Sequence, residues 1–123
     1  MKRAPYRFLV VDDHEEWRRF SSTTLRKRPG TQVISEASDG LQAVQVAQHM
    51  QPDLILMDIR LPALNGIEAA RQIRDLSQTS KILFISENRS WSMAEEALRT
   101  GAKGYVVKSD AGRELLPECD NGA

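Results

Sequence analysis

Short runs of apolar residues alternate along the chain with longer segments of helical periodicity. Three of these runs, residues 8–11, 54–57 and 82–85, are apolar at every position. Such runs are expected where helices cover both faces of a parallel sheet, because neither face of the strand meets water. The pattern therefore predicts an α/β fold in which these three runs are the central strands.

Two further segments complete the predicted sheet. Residues 31–37 are more polar, as an edge strand is, and residues 104–107 form a fifth strand. Three helices between the strands each carry apolar side chains at helical spacing on one face. These faces consist of Trp17, Phe20, Thr24 and Leu25 in the first helix, Ala43, Val46, Ala47 and Met50 in the second, and Ala94, Ala97 and Leu98 in a later one.

Certain residues predict where the helices begin and end. Asp39 with Gln42, and Ser92 with Glu95, have the spacing of a capping box, in which each side chain satisfies a free backbone N–H at a helix start. Pro52 predicts the end of the second helix, because proline disfavours helical backbone in the residue before it.

The end of the chain predicts a short fifth helix. Gly112 and Pro117 weaken a helix, and residues 118–123 offer no apolar face. Leu115 and Leu116 are the only large apolar residues left to cover that flank of the sheet. We therefore expect either a thinly covered edge or a partner chain there.

Length and charge restrict the classes of function. The 123 residues provide for one buried core, so we expect a single domain over residues 1–118 and a polar tail over residues 119–123. A formal net charge of zero argues against nucleic acid or an anionic membrane surface as the main partner. Cys119 is the only cysteine, which excludes an intrachain disulfide and fits a reducing, cytoplasmic compartment. No apolar run is long enough for a signal peptide or a bilayer span.

Polar side chains follow the predicted strands. Asp12 and Asp13 follow the first strand, and Asp58, Ser86 and Lys108 come at the ends of the third, fourth and fifth. Because the carboxyl ends of parallel strands open on one edge of the sheet, we expect these side chains to share a pocket. Each has an ordinary alternative, since an aspartate can cap a helix, a lysine can lie on the surface and a serine can sit in a turn. These alternatives give no reason for all the polar groups to occupy corresponding strand ends.

The types of side chain indicate phosphoryl transfer. Like charges about 4 Å apart cost about 4 kcal/mol at an effective dielectric of about 20, so the carboxylates need a neutralising cation. Mg²⁺ is usually held by one or two carboxylates with waters and phosphate oxygens. Lys108 adds a positive charge and Ser86 a hydroxyl, both suited to phosphate oxygens. A carboxylate such as Asp58 can then be the nucleophile that forms an aspartyl phosphate.

Three motifs resemble those of bacterial response-regulator receiver domains. They are residues 10–14 (VVDDH), 56–62 (LMDIRLP) and 101–108 (GAKGYVVK), and the resemblance covers nearly the whole chain. The first and last motifs are most similar to receivers of the NarL/LuxR type, which usually precede a helix-turn-helix DNA-binding domain. We expect a receiver without that output domain, and so no direct binding of nucleic acid or membrane by this domain.

The resemblance implies a flavodoxin-like, five-stranded parallel sheet of order 2-1-3-4-5. It also implies that Asp58 accepts a phosphoryl group from a histidine kinase or phosphotransfer protein. Asp13, Asp58 and the backbone carbonyl of Arg60 would hold Mg²⁺, with Asp12 acting through water, and Lys108 would pair with the phosphoryl oxygens. Such a protein is no enzyme in its own right, but a phosphoacceptor that assists its own phosphotransfer and autodephosphorylation.

Two further residues would relay the phosphorylation. By the resemblance, Ser86 would swing toward the phosphate and Tyr105 would rotate inward behind it. Together they would change the surface formed by the fourth helix, fifth strand and fifth helix. In physical terms these residues form a two-state element, whose equilibrium is shifted by the phosphoryl group's added charge of about −1.5 to −2. For Tyr105 the alternative is an ordinary half-buried aromatic residue of a strand.

The chain departs from the family pattern near the phosphate position. Glu87 follows the switch serine, where the family normally has a small residue, so we expect hindered access. Asn88 beside it is expected to modulate the site as well. Arg60 could shield the phosphate from water or pair with Glu87. The short fifth helix leaves open whether the chain forms a homodimer.

Three other classes of protein fit parts of the pattern. An aspartate-nucleophile phosphatase typically needs a second acid two residues after the nucleophile, where this chain has Arg60. A nucleotide or flavin binder needs glycines after the first strand, where this chain has the acidic segment 12–16. The remaining alternative is a pseudo-receiver, an interaction module that is poorly or not phosphorylated. The presence of all three acids, Asp12, Asp13 and Asp58, argues against a pseudo-receiver, whereas Glu87 and the short C-terminal segment argue for it.

Overall fold

The computed structural model describes residues 4–87 and 89–110, which form strands and helices in strict alternation. In chain order these elements are β1 (Tyr6–Val11), α1 (Glu15–Arg26), β2 (Thr31–Ala37), α2 (Gly40–Met50), β3 (Leu54–Asp58), α3 (Gly66–Leu76), β4 (Lys81–Ser86), α4 (Trp91–Arg99) and β5 (Gly104–Val107), followed by a 3-10 turn at Lys108–Asp110. The predicted short fifth helix, with Leu115, Leu116 and Cys119, lies outside the described residues.

The five strands form one parallel sheet in the order β2-β1-β3-β4-β5. This confirms the predicted flavodoxin-like topology. The three central strands are almost wholly buried, whereas β2 is mostly half-buried and lies at an edge, as predicted. The four-residue strand β5 forms the opposite edge.

Two hydrophobic cores lie on opposite faces of the sheet. Alternate residues of each strand contribute to one core or the other, because successive side chains of a strand point to opposite faces. The α2–α4 core contains Leu9, Val11, Ile55, Met57 and Phe84 together with helix residues such as Ala43, Ala69 and Ala97. The α1 core contains Phe8, Val10, Leu25, Leu54, Leu56, Leu83, Ile85 and Val106. Both faces of the sheet are therefore covered, which explains the continuously apolar central strands.

The first helix packs differently from its predicted apolar face. Leu25 is fully buried, but Phe20 is 47% exposed, and the small residues Ser21 and Ser22 are buried instead. In α4 the predicted face is also only partly correct, because Ala97 is buried and Leu98 is 47% exposed. Small side chains let a helix approach the sheet closely, so helical spacing of large apolar residues misjudged which face is buried.

The helix ends agree with the sequence in one region and not in another. The Asp39 carboxylate accepts a hydrogen bond from Gln42 N at 2.8 Å, as predicted. The α2 helix ends at Met50, just before Pro52, also as predicted. The prediction of Ser92 with Glu95 as a cap is wrong, because α4 already begins at Trp91 and Ser90 caps it, accepting from Met93 N at 3.3 Å.

No sequence pattern was singled out for α3, whose start lies beside the end of β3. Asn65 caps the helix by accepting a hydrogen bond from Glu68 N at 3.0 Å. Gly66 follows, and its backbone N–H donates to Ile59 O at 2.7 Å. The loop after Asp58 therefore folds back at once onto the helix that it leads into. In the described part of the chain, no helix has the length and apolar character needed to cross a membrane.

Candidate functional site

Register brings the predicted polar residues to one edge of the sheet. Val11 pairs with Met57, Asp58 with Ile85, and Ser86 with Val107. The residues that end or follow these strands therefore lie side by side at their carboxyl ends, as expected for a ligand site in this topology.

Asp12 is held rigidly where β1 ends. Its backbone N–H donates to Ala37 O at 3.0 Å, and its carbonyl oxygen accepts from the Arg18 guanidinium at 2.8 Å. Its carboxylate accepts from His14 N at 2.8 Å and is 1% exposed. The neighbouring Asp13 is exposed, so one of the two acids faces the interior and the other the mouth of the site.

Asp58 is the last residue of β3, and its side chain is buried. Burial, followed by the negative charge of Asp12, raises the pKa of the Asp58 carboxyl from 3.8 to about 6. The Lys108 ammonium and hydrogen bonds from the backbone of Arg60 and Ile59 act in the opposite direction but do not cancel this rise. The fold therefore keeps a carboxylate where its charge is poorly solvated.

Lys108 directly follows β5 and reaches back over the site. Its Nζ lies 2.8 Å from Asp12 Oδ2 and 3.7 Å from Asp58 Oδ2. The closer contact is a buried ion pair. Both atoms are buried, so one ammonium is shared between two carboxylates that would otherwise repel each other.

The acidic cluster consists of Asp12, Asp13, His14 and Asp58, each with a potential ligand atom within 4.8 Å of the others. The sequence argument did not single out His14 as a site residue. Its Nδ1 lies 3.2 Å from Oδ1 of both Asp12 and Asp13. The position of His14 directly after Asp12 and Asp13 was the feature of the sequence that could have indicated its place in the site. Carboxylate oxygens at this spacing suit a hard divalent cation.

Residues 8–119 match the response regulator receiver domain family. The chain belongs to this family. As a receiver domain it is 33% identical over 112 residues to the nitrate/nitrite response regulator protein NarL of Escherichia coli K12, a match that covers 91% of the chain and 52% of NarL. The chain thus spans about half the length of this relative. Receiver domains take part in two-component signalling.

Other relatives of the receiver domain differ in the rest of their chains. A protein-glutamate methylesterase/protein-glutamine glutaminase of Colwellia psychrerythraea is 43% identical over 104 residues, which cover 84% of this chain and 27% of that protein. A LuxR-family two-component response regulator from Aurantimonas sp. superposes with a TM-score of 0.90 at 34% identity, covering 96% of this chain and 84% of that one. The same fold is therefore joined to more than one kind of output.

Two predicted switch residues lie in the adjacent strands β4 and β5 of the receiver domain. Ser86 ends β4, is 2% exposed, and lies with its Oγ 3.8 Å from Met93 Sδ of α4. Tyr105 of β5 pairs with Phe84 in the sheet and packs half-buried against the α2–α4 core. Ser86 therefore joins the end of a strand to the helix beside it.

The three residues predicted to modulate the site have different placements. The exposed Glu87 side chain brings Oε1 to 3.9 Å from Lys108 Nζ. Arg60 is exposed and lines a cleft of about 390 Å³ between the loop after β3 and α4. Within residues 4–87 and 89–110 the structure gives no ion pair between Arg60 and Glu87. Asn88 lies outside the described residues.

Proposed function

We propose that this receiver domain is a phosphorylation-dependent signalling switch in which Asp58 accepts a phosphoryl group. The observation that carries the proposal is the Asp58 carboxylate, buried beside Asp12 and 3.7 Å from the Lys108 ammonium, with a pKa raised to about 6. A poorly solvated carboxylate with a fixed cation beside it suits attack on phosphorus, because the cation can stabilise charge on the phosphoryl oxygens.

The residues present also fit Mg²⁺. Asp13, Asp58 and the backbone carbonyl of Arg60 would hold the ion, with Asp12 acting through water. This assignment is supported by the oxygen donors within 4.8 Å of one another and by the buried Asp12 Oδ2 that lacks a hydrogen-bond partner among the described residues. When bound, Mg²⁺ supplies positive charge that neutralises the carboxylates and the phosphoryl oxygens.

The phosphoryl donor is a histidine kinase or a phosphotransfer protein. A carboxylate oxygen of Asp58 forms the new bond to phosphorus, and the bond from phosphorus to the donor's imidazole nitrogen breaks, leaving the electron pair on nitrogen. Lys108 pairs with the phosphoryl oxygens. The same constellation assists the later attack by water that restores the free carboxylate.

Movements of the Ser86 and Tyr105 side chains transmit phosphorylation of Asp58 to the protein surface. The contact between Ser86 Oγ and Met93 Sδ supports this route, because a serine drawn toward the phosphate would give up its contact with α4. Tyr105 lies in the neighbouring strand and packs against the same core, so it can respond to that movement. The changed surface comprises α4, β5 and the segment that follows. We also propose that the receiver domain spans residues 1–118 and is followed by a polar tail at residues 119–123. We further propose that the protein acts in the cytoplasm.

Incubation of the protein with acetyl phosphate and Mg²⁺, followed by mass spectrometry, tests the function. We expect a mass increase of one phosphoryl group in the wild type. Asp58→Asn should abolish it. Asp75→Asn is the matched control, because Asp75 is an exposed residue of α3, and this variant should be phosphorylated normally. An unmodified wild type, or equal modification of Asp58→Asn, would contradict the proposal.

A pseudo-receiver that serves as an interaction module is the second candidate. It is favoured by the Glu87 carboxylate, which lies 3.9 Å from Lys108 Nζ and so competes with a phosphoryl group for the same ammonium. We expect Glu87→Ala to speed phosphorylation by small phosphodonors, since the variant removes both bulk and negative charge. Glu95→Ala, an exposed acid of α4, serves as the control. Equal rates for Glu87→Ala and the wild type would count against a role for Glu87.

A further inference from the structure

The charged neighbours of Lys108 do not by themselves fix its position. Its Nζ is buried 2.8 Å from Asp12 Oδ2 and 3.7 Å from Asp58 Oδ2, but it has no hydrogen-bond partner among the described residues. Charge attraction varies slowly with distance and has no preferred direction, whereas a hydrogen bond has both a length and an angle. The carboxylates hold the ammonium at the end of a long, flexible side chain, so a further contact along the way can help to set its position.

Trp17 of α1 provides the missing constraint. Lys108 Nζ lies 5.2 Å from the centroid of the Trp17 ring, within the range at which an aromatic face attracts a cation. The ring is itself held, because it packs half-buried against the α1 core and its centroid lies 5.2 Å from that of Phe20. The indole is thus partly packed against the core on the side where the ammonium lies over its ring.

A cleft beside the Trp17 ring offers the Lys108 side chain a second position. The cleft has a volume of about 300 Å³ and is lined by His14, Glu16, Trp17, Phe20, Glu87 and Lys108. Glu16 and Glu87 are exposed acids, and Glu87 Oε1 already lies 3.9 Å from Lys108 Nζ. With a smaller side chain in place of Trp17, the ammonium would be free to turn into this cleft, toward water and these two carboxylates.

We propose that Trp17 is a positioning residue for Lys108, and that it holds the ammonium over Asp12 and Asp58 through the face of its indole ring. The inference rests on the proposed function, in which Lys108 pairs with the phosphoryl oxygens. A cation that is held in place before the phosphoryl group arrives needs no rearrangement during transfer. Trp17 thereby contributes to the rate of phosphorylation without contacting the reacting atoms.

Rates of phosphorylation by acetyl phosphate and Mg²⁺ in a set of variants test this role. Trp17→Leu keeps apolar volume but removes the aromatic face, and we expect its rate to fall by about threefold to tenfold. Trp17→Phe keeps an aromatic face and should recover most of the loss. Trp91→Leu makes the same change at an exposed residue of α4 and should react at the wild-type rate.

A double-mutant comparison separates positioning from a general effect on the fold. In a Lys108→Met background, Trp17→Leu should cause no further fall in rate, because the side chain that it positions is gone. Equal fractional losses in the wild-type and Lys108→Met backgrounds would overturn the inference, as would a Trp17→Leu rate equal to that of the wild type. Failure of the wild type to be phosphorylated would instead refute the proposed function.

Fluorescence gives a readout that does not depend on the stability of Trp17→Leu. In Trp91→Phe, Trp17 is the remaining tryptophan, and its emission should change when beryllofluoride and Mg²⁺ bind beside the Lys108 ammonium that lies over its ring. The change should be absent in Trp91→Phe with Lys108→Met. An identical change with and without Lys108 would show that the ring does not contact the ammonium, and the inference would be wrong.

Discussion

At the scale of single residues, Ala63 stands out in the loop after Asp58. Its φ of 67° lies in the left-handed region, which glycine adopts far more readily than alanine. We expect Ala63→Gly to raise the free energy of unfolding by about 0.5–1 kcal/mol, measured by urea denaturation. Ala102→Gly is the control, because Ala102 has no positive φ and the change should lower stability. A loss of stability in Ala63→Gly would contradict the strain argument.

The raised pKa of Asp58 predicts a dependence of stability on pH when divalent cations are absent. The folded protein binds the carboxyl proton more tightly than the unfolded chain, with a pKa of about 6 against 3.8. Ionisation of Asp58 therefore costs stability as the pH rises from about 4 to about 6. At pH 7.5, Asp58→Asn should stabilise the fold by roughly 1–3 kcal/mol, and this gain should shrink toward pH 4.5.

Urea denaturation in EDTA at both pH values measures this effect. Asp75→Asn, at an exposed helical position, should show little change at either pH. A gain for Asp58→Asn of the same size at both pH values would mean that the buried charge is not its source.

At the scale of secondary-structure elements, two glycines let α2 and α3 pack against the loop after β3. An ideal Cβ on Gly66 would lie 2.2 Å from Asp58 O, and one on Gly40 would lie 1.8 Å from Leu64 O. Both obstacles are backbone atoms, which cannot move as the end of a flexible side chain can. The loop after β3 is therefore held by contacts that allow no side chain at these positions.

We expect Gly66→Ala to lower the free energy of unfolding by about 2–4 kcal/mol and to slow phosphorylation, because the end of β3 at Asp58 must shift. Gly101→Ala is the matched control. Gly101 has a φ of 89° but no atom within 4 Å of an added Cβ, so only the backbone strain that alanine introduces at this φ should lower stability there. Thermal or urea unfolding of both variants, with the acetyl phosphate assay, checks the difference. A smaller loss for Gly66→Ala than for Gly101→Ala would contradict the packing argument.

At the scale of the whole molecule, the proposed Mg²⁺ site predicts that ion binding raises stability. An ion that binds the folded protein alone stabilises it by about 2.7 kcal/mol at a hundredfold excess over the dissociation constant. We expect Mg²⁺ to raise the melting temperature of the wild type and EDTA to reverse the effect. Asp13→Asn should lose most of the Mg²⁺ response while keeping the fold, because Asp13 is exposed. An unchanged Mg²⁺ response in that variant would remove Asp13 from the proposed ligand set.

The α/β class and the parallel sheet could be predicted from the sequence, because uninterrupted apolar strands alternate with helices, whereas the strand order came from the resemblance to receiver domains. The convergence of Asp12, Asp58 and Lys108 followed from that topology, since parallel strands end at one edge. Other features depend on atomic packing that periodicity does not report. Buried Ser21 and Ser22 in α1 are one example, and the contact of Lys108 with Trp17 is another, because it joins residues distant in the sequence through a side-chain conformation.

The ammonium of the site comes directly after β5, the last strand in sequence order among the described residues. Lys108 follows this strand of four residues, which within the described chain pairs on one side only, with β4. If β5 separates from β4, Lys108 moves away from Asp12 and Asp58, whereas these two aspartates stay in place. We therefore expect phosphorylation to require that β5 is paired with β4, so that a chain whose β5 has not yet joined the sheet during synthesis does not react with its phosphoryl donor.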